Sequence, residues 1–385
     1  MALERLGVLA VYLNNARLEE LGFFRRLCLE GERLGLKVEV FTPTDVEEGR
    51  IVRTLTYDAA RGKWVRQRTT FPPLIYDRCR YHGVATYRVL KAFRSKYTRL
   101  RYLGRPLANK WTMHQVLSED ESIRRYIPET FRYTGTNELM RFLKKHKLIY
   151  LKPKNGTGGR GILRIEQISR NLFLLQGRNQ QRTILAPVRA SEKQLAIRLN
   201  AMQLSSDYVV QQGIPLTLKD GRVHDYRLLI QKNGEGEWEV TGCAGRIGPR
   251  KSITSNLHGG GSAVSLDKML AYRFSEADKI ERIKDDMYSF AYELATYLEG
   301  RFGRQCELGL DIAVDPKGGI WLLEVNPKPS REIFRRIGES VTYRRAVTRP
   351  LEYAVWLLKQ RKSRRSESSA SGSRSGGSSS GTAGD

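Results

Sequence analysis

The chain has 385 residues, of which 40% are hydrophobic and 28% charged, with a mean hydropathy of -0.48. That length allows two or three domains with cores of their own, which excludes a disulfide-held miniprotein, and the composition excludes a bundle of membrane helices. Lys and Arg number 67 against 41 Asp and Glu, a formal charge of +26 that suits an acidic polymer or surface, but no RNP-like aromatic signature, Cys/His finger or basic zipper heptad is present, so sequence-specific nucleic-acid binding is not expected.

The apolar stretch Val8 to Leu13 is far short of the roughly 20 residues a membrane span needs, and only Arg5 supplies basic charge before it, so neither a span nor a signal peptide is expected. Cys28, Cys79, Cys243 and Cys306 form no Cys-x-x-Cys pair, which makes a reducing cytoplasm the simplest setting. Leu6 to Leu13, the helical periodicity from Glu19 to Leu34 and the run Lys37 to Phe41 read as strand, helix, strand, with Gly35 as the helix C-cap. Two parallel strands joined by a helix imply a small doubly wound layer. Residues 51–57 and 64–70 read as a hairpin, 74–76 as a returning strand and 86–94 as a helix, completing a first domain over 1–105.

A second domain is expected over 106–358. It begins with helices at 110–117 and 137–146 and a strand at 149–152 that runs into a glycine-rich turn. Strand segments follow at 161–166, 172–175, 208–212, 226–231 and 238–244, suggesting a mostly antiparallel sheet. A long helix at 276–299, strands at 307–315 and 319–325, and a final helix at 349–362 close it. Residues 363–385 contain ten Ser and five Gly and no Leu, Ile, Val or Phe. With the basic run before them, residues 359–385 are expected to form a disordered tail, a tether or a solubilising extension.

Two constellations carry chemistry. In Tyr150 to Gly161, a strand lysine, Lys152, precedes Gly156, Thr157, Gly158, Gly159 and Gly161. A loop so free of side chains lets backbone N–H groups close on phosphate oxygens, although the spacing is not that of a Walker loop and an ordinary hairpin turn remains the alternative. Further on, Glu324 and Asn326 lie two apart on a strand and so share a face. If the preceding hairpin closes at Lys317 and Gly318, Asp311 falls opposite Glu324. Two carboxylates and an amide are the hard oxygen ligands that magnesium takes, with a salt-bridged strand end as the alternative. Arg227 and Arg246 each stand in an otherwise apolar strand, where an unpaired guanidinium would be costly. Lys328 and Arg331, after the second strand, are open to an anionic substrate or to solvent.

In combination these residues resemble the ATP-grasp proteins, and more closely the YheC/YheD group of endospore coat-associated proteins, over residues 5 to 358. The resemblance implies an α/β chain: a small pre-ATP-grasp domain on the substrate side, where Arg78, Arg80 and Tyr81 end a strand, and then an ATP-grasp domain of two α+β lobes. It assigns Lys110 and Lys152 to the nucleotide phosphates, Gly156 to Gly161 to the phosphate loop, and Gln211, Gln212 and Ile214 to the hinge that reads adenine. Asp311, Glu324 and Asn326 become the magnesium ligands. The elements His224-Asp-Tyr-Arg227, Gly245-Arg246 and Ser255-Asn-Leu-His-Gly-Gly-Gly261 resemble those of amino-acid ligases in the superfamily, which implies catalytic roles for Arg227, Arg246 and Asn256. The hinge departs from the pattern, with Gln211-Gln212-Gly213 where an acidic and an aromatic residue are common and no carboxylate close behind for the ribose. The implied cofactors are ATP and Mg2+. The implied activity is ATP-dependent ligation of an unassigned carboxylate and amine through an acyl phosphate, in the cytoplasm or at the spore coat. The alternatives are a nucleotide-binding coat-assembly protein without turnover, and a phosphotransferase.

Overall fold

The computed structural model describes residues 3–372 apart from 14–16, 48–50, 81–83, 156–158, 182, 256, 258 and 259, and the chain divides into two units. One unit holds the residues up to 104, the turn 232–237 and the chain from 345 onward; the other holds 105–231 and 238–344.

The first unit contains β1 (Glu4–Leu9), α1 (Leu21–Arg33), β2 (Leu36–Phe41), β3 (Ile51–Asp58), β4 (Lys63–Thr70), β5 (Ile75–Asp77) and α2 (Val84–Lys96). Its sheet runs β4-β3-β2-β1-β5, with β1 parallel to both β2 and β5 and with β3–β4 the antiparallel hairpin. The apolar run from Leu6 in β1 is that of a strand buried on both faces, whereas β2 alternates Lys37 and Glu39 with apolar residues, and the buried Glu39 is paired with Arg5. Leu9, Phe41, Ile75, Leu90 and Phe93 make the core.

The second unit continues with α3 (Lys110–Ser118), α4 (Glu121–Arg124), β6 (Thr130–Arg132), α5 (Thr136–His146), β7 (Leu148–Pro153), β8 (Leu163–Ser169), β9 (Leu172–Arg178), β10 (Ile184–Ala190), α6 (Glu192–Ala201) and β11 (Tyr208–Gln212). Then come β12 (His224–Lys232), β13 (Trp238–Ile247), β14 (Ser262–Ser265), α7 (Leu266–Ala271), α8 (Ala277–Phe302), β15 (Glu307–Val314), β16 (Ile320–Asn326) and α9 (Glu332–Arg336); α10 (Ser340–Gly372) begins in this unit, and its residues from 345 onward belong to the first. Two sheets form, β10-β9-β8-β7-β11-β6 and β14-β13-β12-β15-β16. Every ladder of the first is antiparallel, as are β14–β13, β12–β15 and β15–β16 in the second. All eight residues of β15 are buried. Its alternate residues Leu308, Leu310 and Ile312 join a core with Met287, Phe290 and Leu294 of α8, which leaves Glu307, Gly309 and Asp311 on the other face.

Three elements differ from expectation for identifiable reasons. The edge strand β10 was not among the expected strands; it contains Pro187, which falls in the irregularity between Leu185 and Val188, a place where an edge strand tolerates proline. The helix α6 follows a capping box, Ser191 with Gln194, the Ser-x-x-Gln signature that precedes many helices. The last helix begins at Ser340 with Pro350 inside it, whereas Arg349-Pro350 reads in sequence as a helix entry because Pro favours the first turn. It also runs to Gly372, fourteen residues into the segment 359–385 expected to be disordered. Lys, Arg, Gln, Glu and Ala there extend a helix already nucleated at little cost per residue.

Candidate active site

The polar face of the second sheet carries a row of charge set by strand register. Arg227 on β12 lies directly opposite Asp311 on β15, and Asp311 lies opposite Glu324 on β16. Arg227 Nε donates to Asp311 Oδ1 at 2.6 Å, and Arg246 Nη2 sits 3.0 Å from Asp311 Oδ2. Arg246 also forms a two-pronged pair with Asp225, its Nε and Nη2 each 2.6 Å from one carboxylate oxygen. Burial alone would raise the Asp311 pKa, but Arg227 and Arg246 outweigh it and hold the carboxyl below its usual range. The same pairing keeps Arg246 charged against its own desolvation, with Asp225 the stronger partner. Each Asp311 oxygen retains a lone pair beyond its arginine bond.

The opposition of Asp311 and Glu324 arises differently from the expected hairpin. The turn closes with Asp315 N–H donating to Gly319 O, and the Asp315 carboxylate accepts from the N–H groups of Lys317 and Gly319. That is one residue out of the register that closure at Lys317 and Gly318 requires. A bulge restores it, since Ile312 pairs with Leu322 while Asp311 pairs with Glu324. Asn326 stands opposite Gly309, and its Nδ2 is buried with no hydrogen-bond partner among the described residues. Since the two ends of an amide are interchangeable by rotation, this position offers either a donor or an oxygen ligand.

The lysines come from other elements. Lys110 opens α3, where Asn109 caps the helix by accepting from the N–H groups of Trp111 and Thr112, and its Nζ donates to Glu324 Oε1 at 2.6 Å. Lys152 on β7 donates to Gln211 Oε1 of β11 at 2.5 Å. Burial, reinforced by nearby Lys110 and opposed by Glu324, pushes the Lys152 pKa down to about 8. Gly159 and Arg160 line the same cleft, and Gly161, at φ +63°, holds a left-handed backbone conformation that favours glycine.

Just after β11, Gly213 donates to Leu148 O, and a Cβ there would lie 2.2 Å from Leu148 Cγ and 2.9 Å from the Leu148 carbonyl. The backbone carbonyl cannot yield as a side chain can. Gly213→Ala should therefore cost about 1–3 kcal/mol by overpacking, read as a lower urea midpoint; an unchanged midpoint would mean that this segment gives way freely.

The structure thus brings Lys110, Lys152, Gly159, Gln211, Gln212, Ile214, Asp225, Asp311 and Glu324 to one cleft, with Arg227 and Arg246 bonded to its acids. Gly161 adjoins it; Gly156, Thr157, Gly158 and Asn256 lie outside the described residues. Arg331 is not available to an anionic substrate: it is 3% exposed and ion-paired to Glu307. Asp225 entered the sequence reading only as part of the His224-Asp-Tyr-Arg227 element, with no role of its own, although it stands two before Arg227 and therefore on the same strand face. Among the described residues no three His, Cys, Asp or Glu side chains gather as a metal site, but Asp311, Glu324 and the unsatisfied amide of Asn326 supply a mixed oxygen set that fits magnesium. No described helix is long and apolar enough to cross a membrane.

Two sheets enclosing a cleft with lysines on one side and carboxylates on the other make this an ATP-grasp fold. At low sequence identity it resembles D-alanyl-alanine synthetase A from Vibrio cholerae O1 biovar eltor str. N16961 (TM-score 0.53, 12% identity, 91% of this chain and 99% of that one). It also resembles the ATP-grasp ligase PsnB in complex with a phosphomimetic variant of its minimal precursor, Mg and ADP (TM-score 0.51, 13% identity, 91% and 99%). The YheC/D-like ATP-grasp family model matches residues 99–357, and the chain belongs to that family. Endospore coat-associated protein YheC of Bacillus subtilis (strain 168) is 29% identical over 336 residues, covering 85% of this chain and 90% of that protein. YheD of the same organism is 25% identical over 344 residues, covering 87% and 74%.

Proposed function

We propose that this protein is an ATP-dependent carboxylate–amine ligase. The observation that carries this reading is the meeting of Lys110 with Glu324 and of Arg227 and Arg246 with Asp311 in a cleft that also contains the hinge. A substrate carboxylate oxygen attacks the γ-phosphorus, the bond to the β–γ bridging oxygen breaks, and ADP leaves. An amine then attacks the acyl carbon and phosphate departs, the surplus amine proton passing to solvent. Lys110 and Lys152 neutralise the phosphates, and Arg227 and Arg246 face the oxygens that gain charge. Asn256 and the loop Gly156 to Gly161 act on the same phosphates. The backbone N–H of Gln212 is taken by Glu129 O, so the adenine edge meets the Ile214 N–H. Asp311, Glu324 and Asn326 would hold Mg2+, which supplies charge neutralisation across the phosphates when bound. The names of the relatives favour a second reading, a nucleotide-binding protein of the spore coat in which turnover is absent, its basic charge directed at an acidic coat layer.

Lys152 gives the first test. With a pKa of about 8 in the free protein, it is half deprotonated at pH 8, and phosphate beside it favours the charged form. Mg-ATP binding should therefore take up protons near pH 8 and weaken as pH rises above it. Calorimetry in two buffers of different ionisation enthalpy reads the uptake, and Lys152→Ala should abolish it. Equal heats in both buffers, or no binding at all, would count against the phosphate role. Turnover is then sought as ADP release with pools of amino acids, peptides and coat extract, and mass spectrometry of any new amide.

A further inference from the structure

We infer that this cleft does not read the sugar of its nucleotide and takes 2′-deoxy-ATP about as well as ATP; the inference rests on the nucleotide reading above. The sugar lies between the hinge, which takes the base, and the lysines, which take the phosphates. Next to the hinge the lining is apolar: Ile214, Leu216, Val223 and Ile253. Leu216 and Val223 belong to a small hairpin closed by the bridge between Thr217 and Val223.

Telling ribose from deoxyribose requires an acceptor aimed at the 2′-hydroxyl, ordinarily a carboxylate. The acids that line this cleft are Asp225, Asp311 and Glu324, and all three are engaged by Arg246, Arg227 or Lys110 among the phosphate-binding residues. Asp220, at the tip of the hairpin, is exposed and bonded through both oxygens to Arg222. The undescribed positions of the two glycine-rich loops, Gly156, Thr157, Gly158, Asn256, His258 and Gly259, add no acid.

The amide oxygens and the imidazole near the hinge are committed as well. Gln211 accepts from Lys152 and donates to Thr130. Gln212 Oε1 accepts from the Glu129 N–H. His224 has Nδ1 on Leu216 O and Nε2 beside Arg273; burial, then the Arg273 charge, pushes its pKa down to about 4, so it is a neutral ring with both nitrogens occupied. Thr254 Oγ1 has no partner among the described residues, but that atom is shielded from the surface. A single neutral hydroxyl contact is worth about fivefold in affinity, and one to a charged acceptor about 10- to 100-fold.

The test is calorimetric titration of the full chain with ATP, 2′-deoxy-ATP and 2′,3′-dideoxy-ATP at fixed Mg2+, salt and pH. The expected dissociation constants agree within about fivefold. ATP binding intact with 2′-deoxy-ATP more than about tenfold weaker would overturn the inference and leave the nucleotide reading standing. Failure of ATP itself to bind would overturn the nucleotide reading and this inference with it.

Discussion

Asp311→Asn should lower the stability of the protein by about 3 kcal/mol at pH 7, a large loss for a single isosteric change, because it removes the charge shared by two arginines in a buried setting. Arg246 keeps Asp225 as a partner, so the loss falls chiefly on Arg227 and on the second Arg246 contact. The effect should depend on pH with a defined sign. The Asp311 carboxyl is held below its ordinary range in the folded state; such a group contributes stability above its unfolded pKa, and that contribution disappears as pH falls through the folded value. Urea midpoints of wild type and variant should therefore differ at pH 7 and converge below about pH 4. By contrast, Asp220→Asn breaks an exposed pair with Arg222 and should shift the midpoint little. A gap between wild type and Asp311→Asn that stays constant into acid would mean that the aspartate acts through shape and not through charge.

The first sheet was legible because its signals are local. The apolar run of β1, the alternating β2, the helix between them and Gly35 one residue past the C-cap Leu34, with φ +69°, all point to one βαβ unit. The candidate site was legible in its residue types and only partly in its geometry. Asp311 does face Glu324, but the inference assumed a turn one residue out of place and was restored by a bulge at Leu323, which no alternation pattern announces. The pairing of Arg246 with Asp225 needed a neighbouring strand to be known, and so did the capture of Arg331 by Glu307. Arg246 stands in an apolar strand that demands a partner, and the sequence supplies that demand without naming the partner; Arg331 follows a polar run, Lys328-Pro-Ser, and its burial shows only in the fold. β10 carries Pro187, and proline counts against a central strand while saying nothing against an edge.

Glu324→Gln should leave the fold intact and slow turnover by about 100-fold or more. Glu324 is 34% exposed and its pair with Lys110 lies close to solvent, so the lost ion pair is worth less than about 1 kcal/mol of stability. The substitution keeps the size and hydrogen-bonding shape of the side chain while deleting one of the charges that would hold magnesium, and it releases Lys110 from its carboxylate. Nucleotide affinity is then set by two opposed changes, a weaker metal site and a freer lysine, and should move far less than the rate. That split separates the two readings of the protein. A ligase loses phosphoryl transfer, which depends on charge placed for the transition state, whereas a coat protein that stores nucleotide has only an affinity to change. The measurement is ADP release with an acceptor that supports turnover in the wild type, alongside the ATP dissociation constant, with circular dichroism confirming that the variant is folded. Turnover left intact by Glu324→Gln would remove Asp311, Glu324 and Asn326 from the catalytic metal site. Nucleotide binding without turnover, in wild type and variant alike across the acceptor pools, would favour the coat-assembly reading, since the cleft would then act by occupancy alone.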